Sequence, residues 1–73
     1  MKAANFIDKR MEEAKFTPRE KEVGFFLLLG ASRKHIAYEL NISVRTIDLH
    51  LAKIRRKLGA ESSFQAGIIL SRV

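Results

Sequence analysis

The 73-residue sequence predicts an all-α domain. Three observations carry that expectation. Apolar residues recur at helical spacing instead of alternating, capping residues and glycines punctuate the chain at short intervals, and no segment reads as a strand.

Residues 3–14 form the first candidate helix, with Ala3, Phe6, Ile7, Met11 and Ala14 along one side. Thr17-Pro18-Arg19-Glu20 is a strong start for the second. Thr17 caps, Pro18 fits the first helical position, where its missing N–H is not needed, and Glu20 completes a capping box. Val23, Phe26 and Leu27 then keep helical spacing, and Gly30 suits a C-terminal cap. Ser32 caps a third helix running to about Leu40, with Ile36, Ala37 and Leu40 inward. Asn41-Ile42 makes a tight turn, because asparagine tolerates the left-handed conformation. Ser43 caps the fourth helix and Gly59 stops it. Ser62 and Gln65 read as a further capping box, opening a last helix to about Ser71 with Ala66, Ile69 and Leu70 on its apolar side. A helix-turn-helix therefore sits at the centre of the chain.

The helix over 43–58 carries the most chemistry. At about 100° per residue, Ile47, Leu51, Ile54 and Leu58 form one narrow apolar stripe, while Arg45, Asp48, Leu49, Ala52, Lys53 and Arg56 fall opposite. A basic outer face that exposes Leu49 and Ala52 suits a helix lying in a DNA major groove, where cations meet phosphates and apolar groups meet thymine methyls. A solvated basic face is the other reading of the same pattern.

Composition narrows the function classes. The chain is one small domain by length, it has no cysteine and hence no disulfide or thiolate metal site, and its longest apolar run, within 23–31, is too short to span a bilayer. It opens without a signal-peptide pattern, and a cytoplasmic location is expected. Net charge is +6, unevenly spread: residues 1–28 carry six cations and five acids, whereas residues 29–73 carry eight and three. A net +5 in the C-terminal part favours a polyanion partner. No enzyme is expected. His35 and His50 are the only histidines and have no ligand-spaced companions, no glycine-rich phosphate loop is present, and no cofactor or metal is implied.

From Phe16 to Leu70 the sequence resembles the LuxR-type helix-turn-helix family of bacterial transcription regulators. Thr17-Pro18-Arg19-Glu20-Lys21-Glu22-Val23 and Gly30 carry the likeness, together with Ser32, Ile36-Ala37, Leu40, Ile42-Ser43, Thr46-Ile47, His50, Ile54 and Lys57-Leu58-Gly59. The resemblance implies a four-helix LuxR-type domain at 16–73, to which residues 1–15 add an N-terminal helical extension. It also implies a homodimer on an inverted-repeat DNA site, with the helix over 43–58 in the major groove.

Carried over by position, Asp48, Leu49 and Ala52 touch bases, and Arg45 joins them from its place on the outer face. Arg33, Lys34, Thr46, His50, Lys53, Arg56 and Lys57 lie at the DNA backbone. Ala66, Ile69 and Leu70 pair the subunits, with Ile69 foremost because the family usually keeps that position polar. Asp48 has two open readings: an acceptor for cytosine N4, or a solvated acid paired with Arg45 or Arg55.

Some residues depart from the family. Gly24 stands where a large aliphatic residue is usual, and Phe25 and Leu29 stand where polar residues are usual. The expectation is that the N-terminal helix packs there, with Phe6, Ile7 and Met11 covering Phe25 or the gap over Gly24. Phe25 and Leu29 as a protein-partner patch is the alternative. A rival of another class keeps the fold but works as an interaction module for RNA polymerase or another regulator. A sigma-factor region sharing the motif is a lesser alternative, and the chain as one domain cut from a longer protein stays open.

Overall fold

The computed structural model describes residues 2–72, with side chains from residue 7 onward. Among the described residues there are five helices and no strand: α1 (Lys2–Glu13), α2 (Pro18–Leu28), α3 (Arg33–Leu40), α4 (Val44–Leu58) and α5 (Ser63–Ser71). None is long and apolar enough to cross a membrane.

Local chemistry sets the boundaries. Thr17 Oγ1 accepts the Glu20 N–H at 3.1 Å and the Thr17 N–H donates to Glu20 Oε1 at 2.8 Å, so the capping box is reciprocal. Ser32 and Ser43 cap α3 and α4 by accepting the N–H groups of His35 and Thr46. Asn41 ends α3 in the left-handed conformation (φ 56°), and Gly59 ends α4 the same way (φ 68°). The expected box at Ser62 is only half formed. Ser62 Oγ accepts the Gln65 N–H, but Gln65 Oε1 reaches one residue further back, to the Glu61 N–H.

The core draws on every helix: Met11 from α1, Val23 from α2, Ile36 and Ala37 from α3, Ile47, Leu51 and Ile54 from α4, and Ala66 and Leu70 from α5, with Phe16 from the connection after α1. Around it α2 packs on α4 and α5, α3 on α4, α4 on α5, and α1 on α5. Leu58, Phe26, Leu27 and Leu40, expected inside, are half-buried at its margin.

The N-terminal helix belongs to this core. A Cβ on Gly24 would stand 2.8 Å from Met11 Cε, 3.4 Å from Phe16 Cε2 and 3.5 Å from Leu70 Cδ1. Met11 thus fills the volume that a side chain at position 24 would occupy, and Ile7 packs beside it. Met11 of α1 covers the gap over Gly24, while Phe25 is left exposed. Ala3 and Phe6, assigned to the same packing, lie outside the described side chains. Arg10 secures the seat of α1 by donating from Nη1 to the Ile69 carbonyl at 2.6 Å.

Met11 and position 24 share one volume, so their substitutions should couple. Gly24→Leu overpacks the site and is expected to cost about 1–3 kcal/mol. Met11→Ala empties it and should cost about 2–4 kcal/mol. The double variant should fall short of the sum by about 1 kcal/mol or more in urea unfolding, whereas additivity would show that the two do not meet.

Candidate nucleic-acid interface

Because Ile47, Leu51 and Ile54 are drawn into the core, the opposite side of α4 must face outward. Ile42 anchors the turn that precedes it, half-buried and with its N–H on the Ala37 carbonyl at 3.0 Å. Arg45, Asp48, Leu49, Lys53 and Arg56 are exposed and Ala52 is half-buried among them. Leu49 is 61% exposed, a large share for a leucine in the middle of a helix. The six residues assigned to the outer side of this helix therefore share one surface. Lys34 is exposed on α3. His50 is half-buried on the flank of α4. Thr46 is also half-buried, its hydroxyl 2.9 Å from the Ser43 hydroxyl, so it serves the cap.

Two of the expected DNA-contacting cations are engaged within the protein. Arg33, the first residue of α3, places Nη1 2.6 Å and 2.8 Å from the two carboxylate oxygens of Asp48. Neither Arg45 nor Arg55, the partners weighed from the sequence, makes that bond. Lys57 donates from Nζ to Glu20 Oε1 at 2.5 Å and to the Lys15 carbonyl at 2.7 Å. Lys57, expected at a DNA backbone, thus has its ammonium engaged within the protein, where it supports the fold. A lysine on the rim of the basic face and a glutamate 37 residues away look unrelated in sequence.

The Glu20 side chain is only 1% exposed. Burial by itself would push its carboxyl up. The Lys57 ammonium and the Thr17 N–H outweigh burial and hold it below the usual carboxylate range. With those pairs set aside, Lys34, Arg45, Lys53, Arg55 and Arg56 have no acidic partner among the described residues. They form a ribbon of positive charge along α4 and the start of α3. No group of three histidine, aspartate or glutamate residues that could hold a metal comes together among the described residues.

The residues expected to pair subunits are distributed differently. Ala66 and Leu70 are 0% exposed inside the protomer's own core and present no pairing surface. Ile69 is half-buried where α1 meets α5, and its carbonyl is taken by Arg10. The open apolar face of α5 is instead that of Phe64 (80% exposed) and Ile68 (39%). It borders a shallow groove of about 420 Å³ lined also by Leu27, Leu28, Ala31 and Gly67. The signal available in the sequence was the i, i+4 spacing of Phe64 and Ile68, but α5 is apolar nearly all round, so periodicity did not say which side turns inward.

A model of the family described as bacterial regulatory proteins, luxR family, matches residues 14–70. The chain belongs to that family. It is 36% identical to the spore germination protein GerE of Bacillus subtilis over 73 residues, which are all of this chain and 93% of that one. It is 37% identical over 59 residues to the transcriptional regulatory protein FixJ of Rhizobium meliloti, covering 81% of this chain and 28% of FixJ. It is 36% identical over 64 residues to the CsgBAC operon transcriptional regulatory protein of Escherichia coli, covering 88% of this chain and 30% of that protein. The chain therefore spans less than a third of the length of FixJ and of the CsgBAC regulator. No solved structure matches it significantly.

The Glu20–Lys57 pair generates a stability prediction with a defined sign. A carboxyl held low in the folded state contributes stability that is present at neutral pH and is lost as pH falls through its folded value. Lys57→Met leaves a buried carboxylate without its cation and should cost about 2–4 kcal/mol at pH 7. The cost at pH 7 should exceed the cost at an acid pH below the folded value of Glu20, where the carboxyl is protonated in either protein. Chemical denaturation at the two pH values checks this, and an equal cost at both would show that charge pairing is not what Lys57 supplies.

Proposed function

We propose that this chain is a sequence-specific, DNA-binding transcription regulator. It acts as a homodimer on an inverted repeat with α4 in the major groove. The observation that carries the reading is the outer face of α4 in a chain of the luxR family. There, cations without acidic partners flank an exposed leucine and a small alanine. Lys34, Lys53, Arg55 and Arg56 hold phosphates, while Arg45, Asp48, Leu49 and Ala52 face base edges. Thr46 and His50 stand at the flank of that contact. The fold reads as the LuxR-type unit at 16–73 with the helical extension at 1–15 packed against it. Function as a DNA-bound regulator places the protein in the bacterial cytoplasm.

The apolar face of α5 supplies the pairing surface, through Phe64 and Ile68 and not through the core residues Ala66 and Leu70. An exposed phenylalanine beside an apolar groove is a feature that soluble monomers rarely leave uncovered. A two-fold DNA site requires two copies of α4 one helical turn apart, and self-pairing supplies the second copy.

Selection from a random duplex library at near-physiological salt tests the reading. Enrichment of an inverted repeat supports it. A folded protein that enriches nothing overturns it and leaves the interaction-module alternative. On the selected duplex, Lys53→Ala should weaken all sequences alike and flatten the salt slope by about one unit, whereas Leu49→Ala should change preference at one base pair. Phe64→Glu should shift the free protein to monomer in sedimentation equilibrium and weaken binding to the full repeat more than to a half-site.

A further inference from the structure

The contact between Arg33 and Asp48 is a departure from what the basic face needs. Asp48 is the only acid in α4 and stands among Arg45, Leu49, Ala52, Lys53 and Arg56. On a surface facing phosphates a bare carboxylate is repelled. Arg33 has a matching difficulty. As the first residue of α3 it puts a positive charge at the helix end where the backbone dipole is itself positive, and no acid stands in that first turn. The two meet: Nη1 of Arg33 binds both oxygens of Asp48, at 2.6 Å and 2.8 Å. Their side chains are 57% and 46% exposed, and a pair so exposed contributes little to stability in water. Its consequence lies in what the pair presents outward.

We infer that Arg33 and Asp48 form one neutral reading unit, in which Arg33 positions and neutralises the Asp48 carboxylate so that it accepts a hydrogen bond from a cytosine N4 amino group. The inference rests on the proposed placement of α4 in the major groove. A carboxylate has about four lone-pair sites, so acceptor capacity remains after Arg33 has bound both oxygens. In the major groove only cytosine N4 and adenine N6 donate, and the adenine donor sits beside the N7 acceptor, which a carboxylate repels. Cytosine is therefore the base that this unit fits. The same pairing withdraws Arg33 from phosphate binding. A guanidinium already neutralised by a carboxylate releases no counterion when the duplex docks, so Arg33 adds nothing to the salt dependence that Lys53 and its neighbours create.

The experiment measures affinity across a salt series for the wild-type protein, Arg33→Gln, Asp48→Asn, the double variant and Lys53→Gln. The duplexes are the wild-type-selected sequence and its three variants at each base pair of a half-site. If the inference holds, Arg33→Gln and Asp48→Asn each lose a preference for C of about tenfold at the same base pair, and the double variant loses no more than either one. Asp48→Asn gains relative affinity for A there, as an amide matches the adenine edge. Arg33→Gln keeps the wild-type salt slope while Lys53→Gln lowers it by about one unit. Thermal unfolding of all four variants should stay near wild type, which separates the effect from misfolding.

If Arg33→Gln weakens every duplex equally and lowers the slope as Lys53→Gln does, Arg33 is a phosphate contact and the inference is overturned. It is also overturned if Asp48→Asn tightens all duplexes with no change in preference. In either case the proposed function stands, because Lys53→Gln still reports the groove contact. A wild-type protein that binds no duplex removes both.

Discussion

Glu20 sits where three segments of the chain converge, and its carboxylate is the constraint on which the placement of α4 depends. It opens α2 by accepting the Thr17 N–H, and it receives the Lys57 ammonium from the last turn of α4. That ammonium also binds the Lys15 carbonyl. Lys15 itself adopts a left-handed conformation (φ 62°) to turn the chain from α1 into α2. A carboxylate buried to this degree is costly unless its lone pairs are met, and both the N–H and the ammonium are needed to meet them. An apolar contact at this spot would tolerate sliding. A charge that must find its donors fixes the end of α4 against the start of α2, and with it the direction in which the outer face looks.

From that anchoring follows a division of labour among the cations. A protein that binds a polyanion needs positive charge free of acidic partners, yet a small domain also needs some of its charges to hold itself together. Lys57 and Arg33 are spent internally, one on the fold and the other on the only acid of α4, while Lys34, Arg45, Lys53, Arg55 and Arg56 remain available. A count of charges by segment therefore overstates the field that a duplex meets. The net charge of the C-terminal part already sets Asp48 against Arg33, but it still counts Lys57 in full, because the partner Glu20 lies in the N-terminal part.

The N-terminal helix enters by the same logic of shared volume. Glycine within a helix costs roughly 1 kcal/mol relative to alanine. Here it leaves a hollow on α2 that Met11 fills from α1, against Phe16 and Leu70. The unbranched methionine side chain suits such an irregular gap. Arg10, bound to the carbonyl of Ile69, holds α1 over the end of α5. What looks like an appendage in sequence order is part of the packed interior, and it leaves the Phe64–Ile68 side of α5 open.

Helix boundaries, the central turn and the two sides of α4 were legible in the residues alone, because each depends on groups within one or two turns of each other. A serine three residues before the N–H that it caps, an asparagine or glycine at a left-handed position, and an apolar stripe at helical spacing all act over that range. The gap at Gly24 and its filling by Met11 were legible too, since a missing side chain in a helix demands a neighbour. What only tertiary structure decided were choices among equivalents. Asp48 had Arg45 and Arg55 as candidate partners on its own helix and took Arg33 instead, 15 residues away. Lys57 had the same standing as the other basic residues of α4 until Glu20 was buried beside its end. In α5 the apolar residues surround the helix, so Ala66 and Leu70 inside, and Phe64 and Ile68 outside, could be sorted only by where α2 and α4 already stood. Local chemistry specifies the elements. Long-range pairing among like residues is settled by packing, because the sequence pattern offers several partners of equal fitness and the fold brings only one within reach.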